Sequence, residues 1–264
     1  MIIRYHINRF KRLIENYGYT FINSLNKTSF NLSYHVEVEG LEKIPNGPYL
    51  MLAKHEKFLD PLVLHKALNE PYLHTFTRKE FFTWYKRLFF VMSGCIPVDR
   101  FDEDRRLNLR AIIYAADELI DGRPLLVFPE KHRHPKHIGH LHLEGPILID
   151  RRIKRKSTDG RHIPLLFGSL HYEDDEHATV RYLINPLNWL KQKKPLIRVK
   201  FGGPLYTDDY VSDMNDYRHG EENEVGNVKN VITKKAVEEF QGEFGYEYLD
   251  DEPEKCPIFP LRRK

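Results

Sequence analysis

The sequence predicts an α/β fold: a mixed, largely parallel central sheet flanked by helices, with an N-terminal amphipathic helical segment. Three observations predict it. Short apolar runs alternate with helical stretches after Gly40, the pattern of a sheet built by crossover connections. The first 23 residues repeat apolar side chains at helical spacing. At 264 residues and 41% hydrophobic content, the chain is long and apolar enough for one large or two small packed domains.

The elements follow in order. Ile3, Ile7, Phe10, Ile14, Tyr17 and Phe21 recur every three or four residues and form one stripe over 1–23. Arg4, Arg9, Lys11 and Arg12 lie beside it, so this helix suits either a membrane interface with anionic head groups or packing on its own domain. Strands are expected at 48–53, 72–77, 95–98, 124–128, 162–167, 178–184 and 196–201. Helices are expected at 61–69, 79–92, 103–121 and 186–193. The 103–121 helix is the clearest: Leu107, Ile112, Ala115, Ala116 and Leu119 share a face, and Asp121-Gly122 supplies a stop. Residues 207–228 read as a polar loop, 229–240 as a helix and 249–264 as a tail with three prolines. The organisation is therefore 1–34 as the helical segment, 35–206 as the main domain, and 207–264 as loop, helix and tail.

Charge and cysteine content exclude several classes. Lys plus Arg number 41 and Asp plus Glu 38, for a net +3, too even for a nucleic-acid binder on bulk charge. The balance conceals a basic block over 131–162, formally +6 with six histidines, and an acidic one over 208–224. Two cysteines, Cys95 and Cys256, exclude a disulfide framework or a Cys-rich zinc fold and fit a reducing compartment. No apolar run approaches the ~18–20 residues of a membrane span, and the N-terminus lacks the apolar core of a signal peptide.

The first candidate for chemistry is His55 with Asp60 in LAKHEKFLDP. A carboxylate that fixes an imidazole tautomer makes a general base able to act near neutral pH. Residues five apart sit about 140° apart on a continuous helix, so the pair meets only if a turn separates them. Such a turn is expected, because an apolar strand ends at Ala53 and Asp60-Pro61 reads as a helix opening. The plainer alternative is that Asp60 only caps that helix. Arg100 follows the short strand CIPV, and Glu130, Lys131, His132 and Arg133 follow the strand PLLVF. Strand C-termini are where α/β sheets place their sites.

These blocks resemble those of the glycerolipid acyltransferases of the 1-acylglycerol-3-phosphate acyltransferase type, over roughly 35–206 and in the family's order. His55 and Asp60 match its H-x4-D motif, Gly94, Ile96, Pro97 and Arg100 its second block, Phe128, Pro129, Glu130 and Arg133 its third (usually F-P-E-G-T-R), and Ile163 and Pro164 its fourth. The resemblance implies that His55 and Asp60 are the catalytic pair. It implies further that Gly94, Arg100, Glu130, Lys131 and Arg133 bind the acceptor, and that Ile163 and Pro164 lie on the acyl-donor side. Lys131 and His132 replace the usual Gly and Thr, which bears on the acceptor more than on the reaction. The expected reaction moves a fatty acyl group from acyl-CoA or acyl-carrier protein to a lysophosphatidic-acid-like hydroxyl in phospholipid biosynthesis. Its partners would be that lysophospholipid and the cytoplasmic face of a membrane, bound peripherally, with no metal, cofactor or nucleic acid.

Three other readings compete. His132, His134, His137, His140 and His142 invite a metal, though Lys131, Arg133 and Lys136 repel one. Gly168-Ser169-Leu170 lacks the second glycine of a hydrolase nucleophile elbow. A non-catalytic lipid-binding relative would not need both His55 and Asp60. The aromatic stretch 80–92, with Phe82, Trp84, Phe89 and Phe90 beyond what a buried helix uses, is expected at a bilayer surface.

Overall fold

The computed structural model describes residues 2–70, 72–101, 103–134, 137–156, 163–173, 179–191, 194–206 and 221–249, with side chains of the first helix from 17 onward. Strands β1 (His35–Glu39), β2 (Leu50–Ala53), β3 (His74–Arg78), β4 (Cys95–Val98), β5 (Leu125–Val127), β7 (Leu165–Tyr172) and β8 (Leu196–Leu205) form one sheet. Its order is β1-β8-β7-β2-β5-β3-β4. Every pair is parallel except β7 with β8, so the sheet is mixed and mostly parallel. Strands β6 (His137–Ile138) and β9 (Glu247–Tyr248) make a small second pair.

Helices α1 (Ile2–Ser33), α2 (Asp60–Leu68), α3 (Arg87–Met92), α4 (Arg105–Ile120), α5 (Glu144–Lys156) and α6 (Glu221–Gln241) cover the sheet. The centre is buried on both faces, which is why β2 and β5 read as continuous apolar runs. Leu50, Leu52, Leu125, Val127 and Phe167 face Ala115, Leu119, Ile149, Ile232 and Phe240 of α4, α5 and α6. Met51, Ala53, Leu126 and Leu166 face Phe30, Val63 and Leu64 of α1 and α2. The side chain of Asp104 caps α4 by accepting from the Leu107 amide.

Several expectations need correction. The N-terminal helix runs ten residues past 23, to Ser33. It docks through Tyr19, Asn23, Asn26 and Phe30. Tyr19 donates to the Leu73 carbonyl and Asn26 to that of Leu62. Tyr17 and Phe21 of the predicted stripe face solvent instead. The 79–92 helix is broken: a 3-10 turn at Lys79–Phe81 precedes α3. The strand expected at 178–184 is replaced by a helical turn at Val180–Leu183. Helix α6 begins at Glu221, inside the stretch read as loop. The tail beyond 249, the segment 207–220, Cys256 and most of the acidic block lie outside the described residues.

Candidate active site

The parallel strands β2, β4 and β5 end at one edge of the sheet, and their following loops meet there. After Ala53 the chain makes a turn before α2, and that turn brings His55 back onto Asp60. His55 Nδ1 lies 2.8 Å from Asp60 Oδ2. The same oxygen accepts the backbone amides of Glu56 at 2.6 Å and Lys57 at 2.8 Å. Asp60 therefore turns back into the loop and organises it instead of merely capping α2. Its carboxylate is fully buried, whereas the His55 side chain is 19% exposed and its ring stacks on Phe128 at 4.3 Å. A proton held on Nδ1 by Asp60 leaves Nε2 as an acceptor.

Glu130 lies beneath this loop. Its Oε1 accepts the His55 amide at 2.8 Å and its Oε2 the Gly139 amide at 2.9 Å. Lys54 Nζ is 3.6 Å from Oε2, and neither side chain of this pair is exposed. Burial pulls the Lys54 ammonium below its usual range and pushes the Glu130 carboxyl up, against their mutual attraction. Lys54 also donates to the His134 carbonyl and lies over the Tyr246 ring. The Tyr246 hydroxyl lies within hydrogen-bond reach of both the Glu56 carboxyl and the Leu170 carbonyl. Burial raises the Glu56 carboxyl to about 8, with Tyr246, Lys54 and Lys57 opposing the rise and Asp60 adding to it. Burial thus biases the Glu56 side chain towards its neutral form.

Residues 35–157 match the family model described as Acyltransferase. That segment, from β1 to just past α5, is similar to the acyltransferase family. No curated protein sequence matches it. The protein is similar in structure to the 1-acyl-sn-glycerophosphate (LPA) acyltransferase, PlsC, from Thermotoga maritima. The TM-score is 0.52 at 20% identity, covering 86% of this chain and 82% of that one. At that identity the likeness shows a shared α/β fold.

The fold gathers some of the residues singled out in the sequence and separates others. Arg100 leaves the end of β4 and its guanidinium reaches the His132 ring. Asp99 shapes that loop, accepting from Lys79 at 2.6 Å and from the Phe101 and Asp104 amides. Lys131 adopts φ 57°, the left-handed conformation in which glycine is the easier residue. Arg133 is exposed on the same turn. Glu130, expected to serve the acceptor, has its carboxylate buried beneath His55 and meets it only through the backbone.

Gly94 and the pair Ile163 and Pro164 lie elsewhere. Gly94 precedes β4, at the opposite end of that strand from Arg100, and its carbonyl accepts from Thr75 and His74. It lines a cavity of about 310 Å³ with Tyr19, Arg87, Val91 and Tyr114. The Pro164 carbonyl accepts from the Leu50 amide, at the start of β2, while His55 follows its end. A strand of that length separates them by roughly 15 Å.

The competing readings are also located. His134 and His137 have rings 4.7 Å apart, and His140 and His142 4.9 Å. Among the described residues no group of three or more His, Cys, Asp or Glu could hold a metal ion. Ser169 is buried within β7, not on a strand-to-helix turn. Cys95 is packed at the start of β4, and burial pushes its thiol up to about 11.

Sequence reasoning missed Lys54, Glu56, Tyr172 and Tyr246. A lysine at the end of the apolar run LMLA is the one local signal; the tyrosines lie more than 100 residues away from the loop they support.

Proposed function

We propose that this protein moves a fatty acyl group from a thioester, acyl-CoA or acyl-carrier protein, to the free hydroxyl of a lysophosphatidic-acid-like acceptor. The observation that carries this reading is the partly exposed imidazole with Nδ1 on a buried, multiply bonded carboxylate. His55 Nε2 takes the proton as the hydroxyl oxygen attacks the thioester carbonyl. The carbon–sulfur bond then breaks, and the imidazolium returns the proton to the departing thiolate. Arg100, Lys131 and Arg133 supply cations at the loop edge for the acceptor's phosphate. Holding the hydroxyl against the thioester supplies much of the rate.

The reading includes peripheral attachment to a membrane. No described helix is long and apolar enough to cross one. Trp84 is 89% exposed, with Tyr85, Leu88 and Phe89 exposed beside it and Tyr17, Phe21 and Leu25 exposed on α1. Helix α1 packs on α3 at Gly18 and Met92, so the two sets lie on adjoining elements. Ring contacts from Phe58 through Phe81 and Phe90 to Phe89 join this surface to the His55 loop. A lipid acceptor would then meet His55 without leaving the bilayer surface.

The test is thiol release from long-chain acyl-CoA and acyl-carrier protein, with and without lysophosphatidic acid, comparing wild type with His55→Ala. The expected result is acceptor-dependent release that falls by about 10²–10⁴ in the variant. Equal release by both proteins would remove His55 as the base. Silence with both donors across lysolipids and glycerol 3-phosphate would favour a non-catalytic lipid-binding role.

A further inference from the structure

The Asp60 carboxylate has two oxygens, and His55 uses only one. Oδ2 takes His55 Nδ1 and the amides of Glu56 and Lys57. Oδ1 accepts the phenolic hydroxyl of Tyr172 at 2.6 Å. Both groups are buried, Asp60 with no exposure and Tyr172 at 5%. The position of Tyr172 follows from the sheet. In the parallel register of β2 and β7, Gly168 pairs with Ala53, where β2 ends. Strand β7 continues to Tyr172 and so runs alongside the loop that carries His55. Burial and the neighbouring Asp60 charge push the Tyr172 hydroxyl well above its ordinary range, which keeps it a proton donor at working pH.

We propose that Tyr172 is a positioning residue for acyl transfer: by fixing Asp60 through Oδ1 it aims Oδ2 at His55 Nδ1, making a Tyr172–Asp60–His55 relay of hydrogen bonds. This rests on the reading of His55 as the base. A carboxylate held only from the loop side is free to turn about its Cβ–Cγ bond. The Tyr172 bond removes that freedom from the side of strand β7, outside the loop. The orientation of the imidazole is thereby tied to the framework.

The test is a double-mutant cycle of Tyr172→Phe and Asp60→Ala, read as kcat and KM for thiol release with acceptor, with His55→Ala alongside. If Tyr172 acts through Asp60, Tyr172→Phe lowers kcat about tenfold at nearly constant KM, and the same substitution in the Asp60→Ala background costs nothing further. An unchanged kcat in Tyr172→Phe, or an equal loss in both backgrounds, overturns the proposal while leaving His55 as the base. Full activity in His55→Ala overturns both. Imidazole ¹⁵N shifts give a readout independent of turnover: wild type should hold His55 as the Nδ1–H tautomer, and Tyr172→Phe should raise the share of Nε2–H. Identical tautomer populations in the two proteins would also overturn the proposal.

Discussion

The backbone amide of His55 donates to Glu130 Oε1 at 2.8 Å, binding together two loops 75 residues apart in the chain. The carboxylate that holds His55 from below is itself balanced by Lys54, the residue before the histidine. The His55 loop is therefore clamped on two sides, by Asp60 within the loop and by Glu130 beneath it.

Removing charge from that clamp should be costly. Glu130→Gln leaves the Lys54 ammonium buried without its counter-ion, and breaking such a pair costs about 3–5 kcal/mol. Thermal or urea unfolding should show a loss of that order. Activity should fall in protein that is still folded, because the His55 amide loses its charged acceptor. A variant as stable as wild type would show that Lys54 finds another partner.

Stability should depend on pH through Glu56. Its carboxyl is raised from the ordinary 4.5 to about 8 in the folded chain. Between those values the folded state holds a proton that the unfolded state has released, so stability falls as pH rises from about 4.5 to about 8. Below that window the contribution is fully present. Glu56→Gln carries no titrating proton and should escape the loss. The melting-temperature difference between Glu56→Gln and wild type should therefore grow towards the glutamine variant as pH rises from 5 to 8. A difference independent of pH would refute a neutral Glu56.

Much of this was legible in the sequence, and the exceptions have physical reasons. Strands β2 and β5 stand out because burial on two faces demands unbroken apolar runs, whereas β8 shows the apolar-polar alternation of a strand with one face less buried. Helix α5 was missed because its lysines and arginines mask Pro146, Ile147, Ile149 and Ile153, which fall on one buried face. Edge strand β1, His-Val-Glu-Val-Glu, carries the plain alternation of a half-buried strand but is only five residues long. His55 with Asp60 was legible as a motif. What holds the motif was not: Tyr172 and Tyr246 act from distant segments, and no spacing rule links them to residue 60.

Lys131 offers a test of backbone strain. At φ 57° a side chain costs about 1–2 kcal/mol relative to glycine. Lys131→Gly should regain part of that in unfolding experiments while raising KM for a phosphate-bearing acceptor, since a cation leaves the loop. A lower KM would place the lysine outside acceptor binding.

Gly94 should tolerate no side chain. Its φ is 71°, and an added Cβ would lie 2.6 Å from Tyr19 Cε2. Gly94→Ala must push α1 away from β4 and should lower the melting temperature by several degrees, with activity following the folded fraction.

Membrane attachment predicts an effect confined to the exposed aromatic surface. Trp84→Ser and Phe89→Ser should each weaken flotation with liposomes by about tenfold, in high salt as in low, because the loss is of apolar burial. Turnover with a short-chain, water-soluble acceptor should remain. Flotation unchanged in the double variant would remove this surface from consideration.

The strand order also governs how the chain can assemble. Among the described residues strand β1 has no sheet neighbour but β8, and β8 and β7 separate it from β2. The first strand synthesised therefore waits for the last of the seven, more than 150 residues later, before it finds its partner. Contacts so distant in sequence slow folding. A fragment cut at residue 157, where the family match ends, would strand β1 and leave β2 with one bare edge. The segment matched by the family model thus ends before two strands of the central sheet, β7 and β8, have been made.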